Sequence, residues 1–80
     1  MEIKEQLVTF FQDNFMIDLP ESFSDDDSLM NNGIVDSTGI LELVTFLEET
    51  YNFKVANDDI VPENLDSINR LRNYIQSKTN

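Results

Sequence analysis

A serine between an aspartate and a threonine, at the start of a predicted helix, is the most chemically suggestive feature of the sequence. Asp36, Ser37 and Thr38 precede apolar residues at i, i+3, i+4 and i+7, the spacing of one buried helical face. Aspartate is a favourable N-cap because its carboxylate accepts a hydrogen bond from a first-turn N–H group. Ser37 therefore begins the helix, where free N–H groups and the helix dipole would favour a phosphate on its hydroxyl.

The composition excludes the usual ways of turning such a serine into a catalytic nucleophile. The 80 residues include no histidine and no cysteine, so the chain lacks the parts of a Ser-His-Asp triad, a thiolate zinc site or a disulfide. An enzyme that modified Ser37 would have to supply the base that activates the hydroxyl. On the local pattern alone, Ser37 could equally be an ordinary residue at a helix N-terminus.

The charge balance points away from nucleic acid and towards basic protein surfaces. Sixteen acidic residues outnumber five basic ones, and the net charge is −11. Such a chain is repelled by phosphate backbones and attracted to cationic patches on other proteins. No apolar run approaches the ~18 residues of a membrane span, and the N-terminus lacks a signal-peptide pattern. We expect a cytoplasmic monomer that has no nucleic-acid or membrane partner.

The segment from Gly33 to Leu43 resembles the modification segment of acyl carrier and peptidyl carrier proteins. It reads G-I-V-D-S-T-G-I-L-E-L, and the resemblance extends over nearly the whole chain. Members of that family carry a 4′-phosphopantetheine arm, donated by coenzyme A, on the serine of an Asp-Ser-Leu-like tripeptide. The resemblance implies that Ser37 is the attachment site. It also implies a protein that catalyses no reaction and holds acyl or aminoacyl intermediates as thioesters.

The resemblance further implies three kinds of protein partner. They are a phosphopantetheinyl transferase, a ligase that activates the acyl or aminoacyl group, and downstream synthases with basic docking patches. The residues expected to contact these enzymes lie at the start and on the exposed side of the second helix: Asp36, Thr38, Leu41, Glu42, Thr45 and Glu48. Exposed charges in such a surface act mainly on association rate and partner choice.

Several alternatives stay open at this level. Fatty acid, polyketide and nonribosomal peptide pathways all use such carriers, although Thr38 and the segment D-I-V-P-E-N-L at 59–65 favour a specialised one. The chain could also be an unmodified acidic module that binds a basic protein through the same helix. Leu41 could be covered by the loop or could contact a partner. Gly39 could be merely tolerated, or could allow a partner or the arm to approach closely.

The apolar periodicity predicts an all-α fold, a small four-helix bundle that forms one domain over residues 1–80. The first helix is expected from about Glu2 to Asn14 and the second from Ser37 to Tyr51, before a C-cap at Asn52. A short helical turn capped by Asn57 should precede Pro62. The last helix should begin near Asp66 or Ser67. Its inward residues are expected to be Ile68, Leu71 and Ile75.

A long loop, residues 20–35, is predicted between the first two helices. We expect four apolar side chains to anchor it, namely Phe23, Leu29, Ile34 and Val35. Gly33 should relax the backbone for the turn into the second helix. The run Asp25-Asp26-Asp27 does not fit an EF-hand, because placing Gly33 at the sixth position puts Met30 third and Gly39 twelfth. No metal site is predicted.

Overall fold

The computed structural model of the chain describes residues 3–20 and 22–79. Its elements are α1 (Ile3–Phe15), α2 (Ser37–Tyr51), a 3-10 turn (Asn57–Asp59), α3 (Pro62–Leu65) and α4 (Ile68–Thr79). The described ranges contain no strand, and none of their helices is long and apolar enough to cross a membrane. The predicted all-α fold, with three main helices, a short third helix and a long first loop, is confirmed.

The second helix has the predicted bounds, and both of its ends have a local cause. Asp36 caps the N-terminus through its side chain. At the other end Asn52 adopts φ 57° and ψ 52°, and its N–H group donates to the Glu48 carbonyl. Asparagine tolerates this left-handed conformation better than most residues. The first helix runs one residue beyond the predicted Asn14, whereas the predicted start, Glu2, lies outside the described residues.

The predicted cap of the short helical turn is wrong. Asn57 is the first residue of the 3-10 turn, and the residue in the cap position, Ala56, makes no side-chain capping bond. The predicted turn itself does precede Pro62. Pro62 begins α3, because proline suits the first turn of a helix, where its missing N–H group leaves nothing unpaired. Ser67 precedes α4, and its Oγ accepts a bond from the Arg70 N–H group at 3.0 Å.

The core forms where the apolar sides of the helices meet. Contacts join α4 to each of the other three helices, and the Phe10 and Phe46 rings stack with centroids 4.4 Å apart. The fully buried apolar side chains are Leu7, Phe11, Leu29, Leu43, Leu47, Leu65, Ile68, Leu71 and Ile75. Two further apolar residues, Ile3 in α1 and Ile40 in α2, are only partly buried at the edge of this core.

The long loop is held against the junction between α3 and α4. Leu29, Ile34 and Val35 are buried as predicted, and Phe23 is partly buried. Asp66 accepts three bonds from the loop. Its carboxylate accepts from the Ser28 hydroxyl at 2.6 Å and the Met30 N–H group at 2.9 Å, and its carbonyl accepts from the N–H group of Leu29. These bonds fix a loop that would otherwise be long for so small a domain.

The turn into α2 depends on Gly33. Its φ is +73°, in the region that residues with a Cβ rarely adopt. The N–H group of Gly33 donates to the Met30 carbonyl at 3.1 Å, and that of Ile34 donates to the Leu29 carbonyl at 2.9 Å. The predicted role of this glycine in the turn is confirmed.

The three consecutive aspartates of the loop are held by three different partners. Asp25 pairs with the Lys4 ammonium at 2.7 Å, Asp26 accepts from the Asn69 amide at 2.6 Å, and Asp27 accepts from the N–H group of Ser24. Across residues 3–20 and 22–79, no group of three or more acidic side chains is placed to hold a metal ion. Asp25 therefore fastens the loop to α1 and Asp26 fastens it to α4, whereas Asp27 holds the loop internally.

The buried side chain of Tyr74 should make folding stability decrease at alkaline pH. Burial, and then the hydrogen bond to Asp59, raises the pKa of Tyr74 to about 12 from the ordinary 10.0. The folded state therefore keeps this proton at higher pH than the unfolded state does. Its contribution to stability is complete below pH 10 and is lost as pH rises through 10 to 12.

We expect Tyr74→Phe to flatten this alkaline decline, measured as the free energy of urea unfolding between pH 9 and 12. Tyr51→Phe is the matched control, since burial also raises the pKa of Tyr51 but no carboxylate bonds its hydroxyl. Tyr51→Phe should keep most of the alkaline decline in unfolding free energy. If the unfolding free energies of the wild type and Tyr74→Phe changed equally with pH, Tyr74 would not be the source of the decline.

Candidate functional site

Ser37 is the first residue of α2, and its side chain is exposed. Asp36 lies before it in an extended conformation, with φ −107° and ψ −176°. Oδ1 of Asp36 accepts a bond from the Gly39 N–H group at 2.7 Å, and the Asp36 carbonyl accepts from Ile40 at 2.9 Å. The predicted N-cap is confirmed. It fixes the direction in which the helix begins and therefore the position of the Ser37 hydroxyl.

The helix end next to Ser37 suits a negatively charged ester. The N–H groups of Ser37 and Thr38 precede the first intrahelical bond, so no carbonyl of the helix pairs with them. The partial positive charge of the helix N-terminus lies at the same place. A phosphodiester on the Ser37 hydroxyl would therefore be stabilised without any lysine or arginine.

A mostly apolar cleft of about 230 Å³ opens beside Ser37. Its walls come from the loop, from the first turn of α2, and from α3 with the segment before it. The lining residues are Met30, Ser37, Ile40, Ile60, Val61, Pro62, Leu65 and Asp66. A group attached to the Ser37 oxygen can therefore lie along an apolar surface on leaving the helix end.

The structure explains the glycine at position 39 by close packing, which neither of the two predicted explanations included. A Cβ at this position would lie 3.2 Å from Cζ of Phe15 and 3.3 Å from Oδ1 of Asp36. Gly39 is buried, and it allows the end of α1 to pack closely against the first turn of α2. The glycine is therefore explained by packing within the chain.

The structure places the predicted partner-binding residues in two different environments. Thr38, Leu41, Glu42 and Thr45 are exposed along α2, and Leu41 is 63% exposed. The alternative that the loop covers Leu41 is therefore wrong. Contact of these residues with a partner stays a prediction.

Glu48 is partly buried and has a structural role. Its Oε2 accepts a hydrogen bond from the Val55 N–H group at 2.9 Å. This bond holds the segment that follows α2 against the end of the helix. A partner that docks at Glu48 would meet a carboxylate that is already engaged on one oxygen.

Sequence reasoning missed the opposite wall of the cleft. Val61, Pro62, Leu65 and Asp66 stand more than twenty positions after Ser37, and no spacing rule links the two segments. The only sequence signal is indirect, since the segment at 59–65 favours a specialised carrier without indicating where it lies relative to Ser37. The wall could be found only from the folded chain.

The capping role of Asp36 can be tested by two substitutions. Asp36→Ala removes the bond to Gly39 and should cost about 1 kcal/mol of folding stability. Asp36→Asn keeps a good N-cap without the charge, so its unfolding free energy should stay close to that of the wild type. Urea unfolding measures both variants. A loss in Asp36→Asn as large as in Asp36→Ala would contradict the capping role.

Comparisons with known proteins show the family of the chain. D-alanyl carrier proteins of Streptococcus suis (strain 98HAH33) and Streptococcus pyogenes serotype M5 (strain Manfredo) are each 31% identical over 71 residues. The alignments cover 89% of this chain and 87% of the relatives. No family model matches the chain. A small helical domain with an exposed serine at a capped helix end fits a carrier, and the chain belongs to the carrier-protein family that includes these relatives.

Proposed function

We propose that this carrier protein bears 4′-phosphopantetheine, donated by coenzyme A, on the Ser37 hydroxyl. One observation carries the proposal. In a chain of the carrier-protein family, Ser37 is exposed as the first residue of a helix whose N-terminus is fixed by the Asp36 cap. The transfer would form a phosphodiester between the Ser37 Oγ and the phosphopantetheine phosphate. It would release adenosine 3′,5′-bisphosphate, and the proton of the hydroxyl would pass to the transferase.

The residues around Ser37 fit this group. Two N–H groups that no carbonyl of the helix pairs with, together with the helix dipole, favour the phosphodiester. The neighbouring apolar cleft offers a surface for the arm. When bound, the group supplies a thiol on which an acyl or aminoacyl group is held as a thioester. The chain has no cysteine and so no thiol of its own.

The chain's own residues would position the arm and select partners. Asp36 holds the helix end in one direction, and the buried side of α2 fixes the helix to the core. Exposed residues such as Thr38, Glu42 and Thr45 would meet basic patches of a ligase and of downstream enzymes. Tethering raises the effective concentration of the carried group at each enzyme. Since coenzyme A would donate the arm, we propose that the protein works in the cytoplasm.

We propose an aminoacyl cargo within this scheme. The relatives that are 31% identical to this chain are named D-alanyl carrier proteins, and a D-alanyl group is an aminoacyl group. To test the cargo, the holo-protein would be incubated with ATP, D-alanine and a D-alanine-activating ligase. The expected result is a mass gain of one alanyl group that hydroxylamine removes, as it does from a thioester. Loading with a fatty acid by an acyl ligase but not with D-alanine would contradict the aminoacyl proposal.

The attachment itself is tested on the purified apo-protein. It would be incubated with coenzyme A and a phosphopantetheinyl transferase of broad specificity, and then weighed intact. We expect a gain of one phosphopantetheine, which peptide mapping assigns to Ser37. A chain that gains no mass, and that is also never modified when isolated from its own host, would overturn the proposal. The unmodified acidic interaction module would then be the better description.

A further inference from the structure

A second cleft, of about 350 Å³, lies between α1 and α2. It is mostly apolar, and among its lining residues are Phe10 and Phe46, whose rings stack with centroids 4.4 Å apart. The residues around these rings include Glu5, Asp13 and Thr50, and every lining residue belongs to α1 or α2. We call this cleft the α1–α2 groove.

The α1–α2 groove opens on the opposite side of α2 from Ser37. Phe46 stands nine residues after Ser37, which is about two and a half turns of an α-helix. Ser37 lines the other cleft, whose walls include α3, whereas no residue of α3 lines the groove. A molecule bound in the groove would therefore leave the Ser37 hydroxyl accessible.

Two carboxylates, those of Glu5 and Asp13, stand at the edge of the groove, and both residues are exposed. They are eight residues apart on α1, a separation of about 12 Å along the helix axis. Within the part of the chain that the structure describes, neither carboxylate pairs with a cation or accepts a hydrogen bond. The edge of the groove therefore keeps its negative charge.

The cation that would balance this charge has to come from another molecule. No lysine or arginine lines the groove. Lys4 and Arg72 both pair with Asp25, and Lys78 pairs with Asp59. A second copy of the chain is also a poor occupant, because each copy carries a net charge of −11 and the copies repel each other.

We propose that the α1–α2 groove binds a basic amphipathic helix of a partner protein. An apolar side chain of that helix would pack on the Phe46 ring, as amphipathic helices do in apolar grooves. Two of its lysines or arginines, about two turns apart, would meet Glu5 and Asp13. Charge complementarity selects such a partner over a neutral or acidic one.

This inference goes beyond the proposed function and does not require that Ser37 is modified. Because the groove and Ser37 lie on opposite sides of α2, the chain can stay bound to this partner while enzymes act at Ser37. The groove would thus hold the carrier in place independently of the contacts made at the arm.

The test uses a fluorescein-labelled helical peptide of alanine, leucine and lysine. Its leucines form one face, and two lysines border that face two turns apart. Binding to the full chain in the apo form is measured by fluorescence anisotropy at about 0.15 M salt, where distant charges are screened. Removing both edge charges, in the variant Glu5→Gln with Asp13→Asn, should raise the Kd roughly tenfold.

The matched control is Asp58→Asn with Glu63→Gln. It removes the same two charges from exposed positions in the 3-10 turn and α3, and neither position lines the groove. The Kd should change by less than about twofold, because only the net charge differs.

A second variant adds a charge instead of removing one. Thr50→Lys places a cation at the edge of the groove and should raise the Kd roughly tenfold by repelling the lysines of the peptide. Gln76→Lys makes the same charge change at an exposed position of α4 and should leave the Kd nearly unchanged. All these positions are exposed, so the variants should fold like the wild type.

NMR of the 15N-labelled chain locates the bound peptide. We expect the largest amide shift changes at Asp13, Phe46 and Thr50, and small ones at Ser37. Changes centred on Ser37 and α3, or an equal rise in Kd for the double variant and its control, would overturn the inference. So would a wild type that does not bind the peptide, or a dimer found by sedimentation velocity with the groove at its interface. The proposed function stands in each of these cases, since attachment to Ser37 is measured separately by mass.

Discussion

Ser37→Ala is expected to abolish attachment of phosphopantetheine completely. Alanine has no oxygen to form the phosphodiester, and the chain has no cysteine that could replace it. The variant would be incubated with coenzyme A and the transferase until the wild type is fully converted, and both would be weighed intact. We expect one added phosphopantetheine on the wild type and none on Ser37→Ala.

The neighbouring hydroxyl offers a matched control. Thr38 is also exposed in the first turn of α2, and Thr38→Ala should still gain one phosphopantetheine. Neither substitution should unfold the protein. Ser37 makes no side-chain hydrogen bond with any residue that the structure describes, and exposed substitutions of this kind usually change stability by less than about 0.5 kcal/mol. Modification of Ser37→Ala, or failure of Thr38→Ala with the fold intact, would place the attachment elsewhere.

Leu29→Ala is expected to produce the largest loss of folding stability that we predict. Leu29 is fully buried although it belongs to the long loop, and its N–H group bonds the Asp66 carbonyl. Removing the buried side chain should cost about 3 kcal/mol, from lost burial and from the cavity that remains. Since small domains are stable by only ~5–15 kcal/mol, this loss should be evident as a lower urea midpoint at an almost unchanged slope.

Met30→Ala is the control for the loop position. Met30 is the next residue in the same loop, but it is 41% exposed. Its truncation should cost less than about 1 kcal/mol, since little apolar area returns to water. If both variants lost the same stability, the loop would not be anchored through Leu29. The bonds to Asp66 would then have to carry the anchoring alone.

The bounds of α2 could be predicted closely because the residues that set them act locally. Asp36 caps the first turn, Asn52 ends the last one, and the apolar residues between them repeat with the helical period. Each of these features acts within about one turn of the chain, and so it can be read without knowledge of the fold. The exposed position of Ser37 follows from the same local signals, whereas its role as the attachment site is implied by the resemblance to carrier proteins and stays a prediction.

Elements shorter than two turns were predicted less well. The short turn before Pro62 was predicted with the wrong cap, and the helix that begins at Pro62 was not predicted there. Helices this short have little intrinsic stability, and packing decides whether they form. The structure shows α3 packed on α4, with Leu65 buried between them.

The sequence by itself determined the all-α class, the bounds of α2 and the exposed serine at its capped end. Only the tertiary structure decided the rest of the site. It placed α3 opposite Ser37, set Phe15 against Gly39 and engaged Glu48 with Val55. The physical reason is sequence separation. The bonds from Ser28 and Met30 to Asp66 join residues 38 and 36 positions apart, and such contacts follow from the packing of the whole chain.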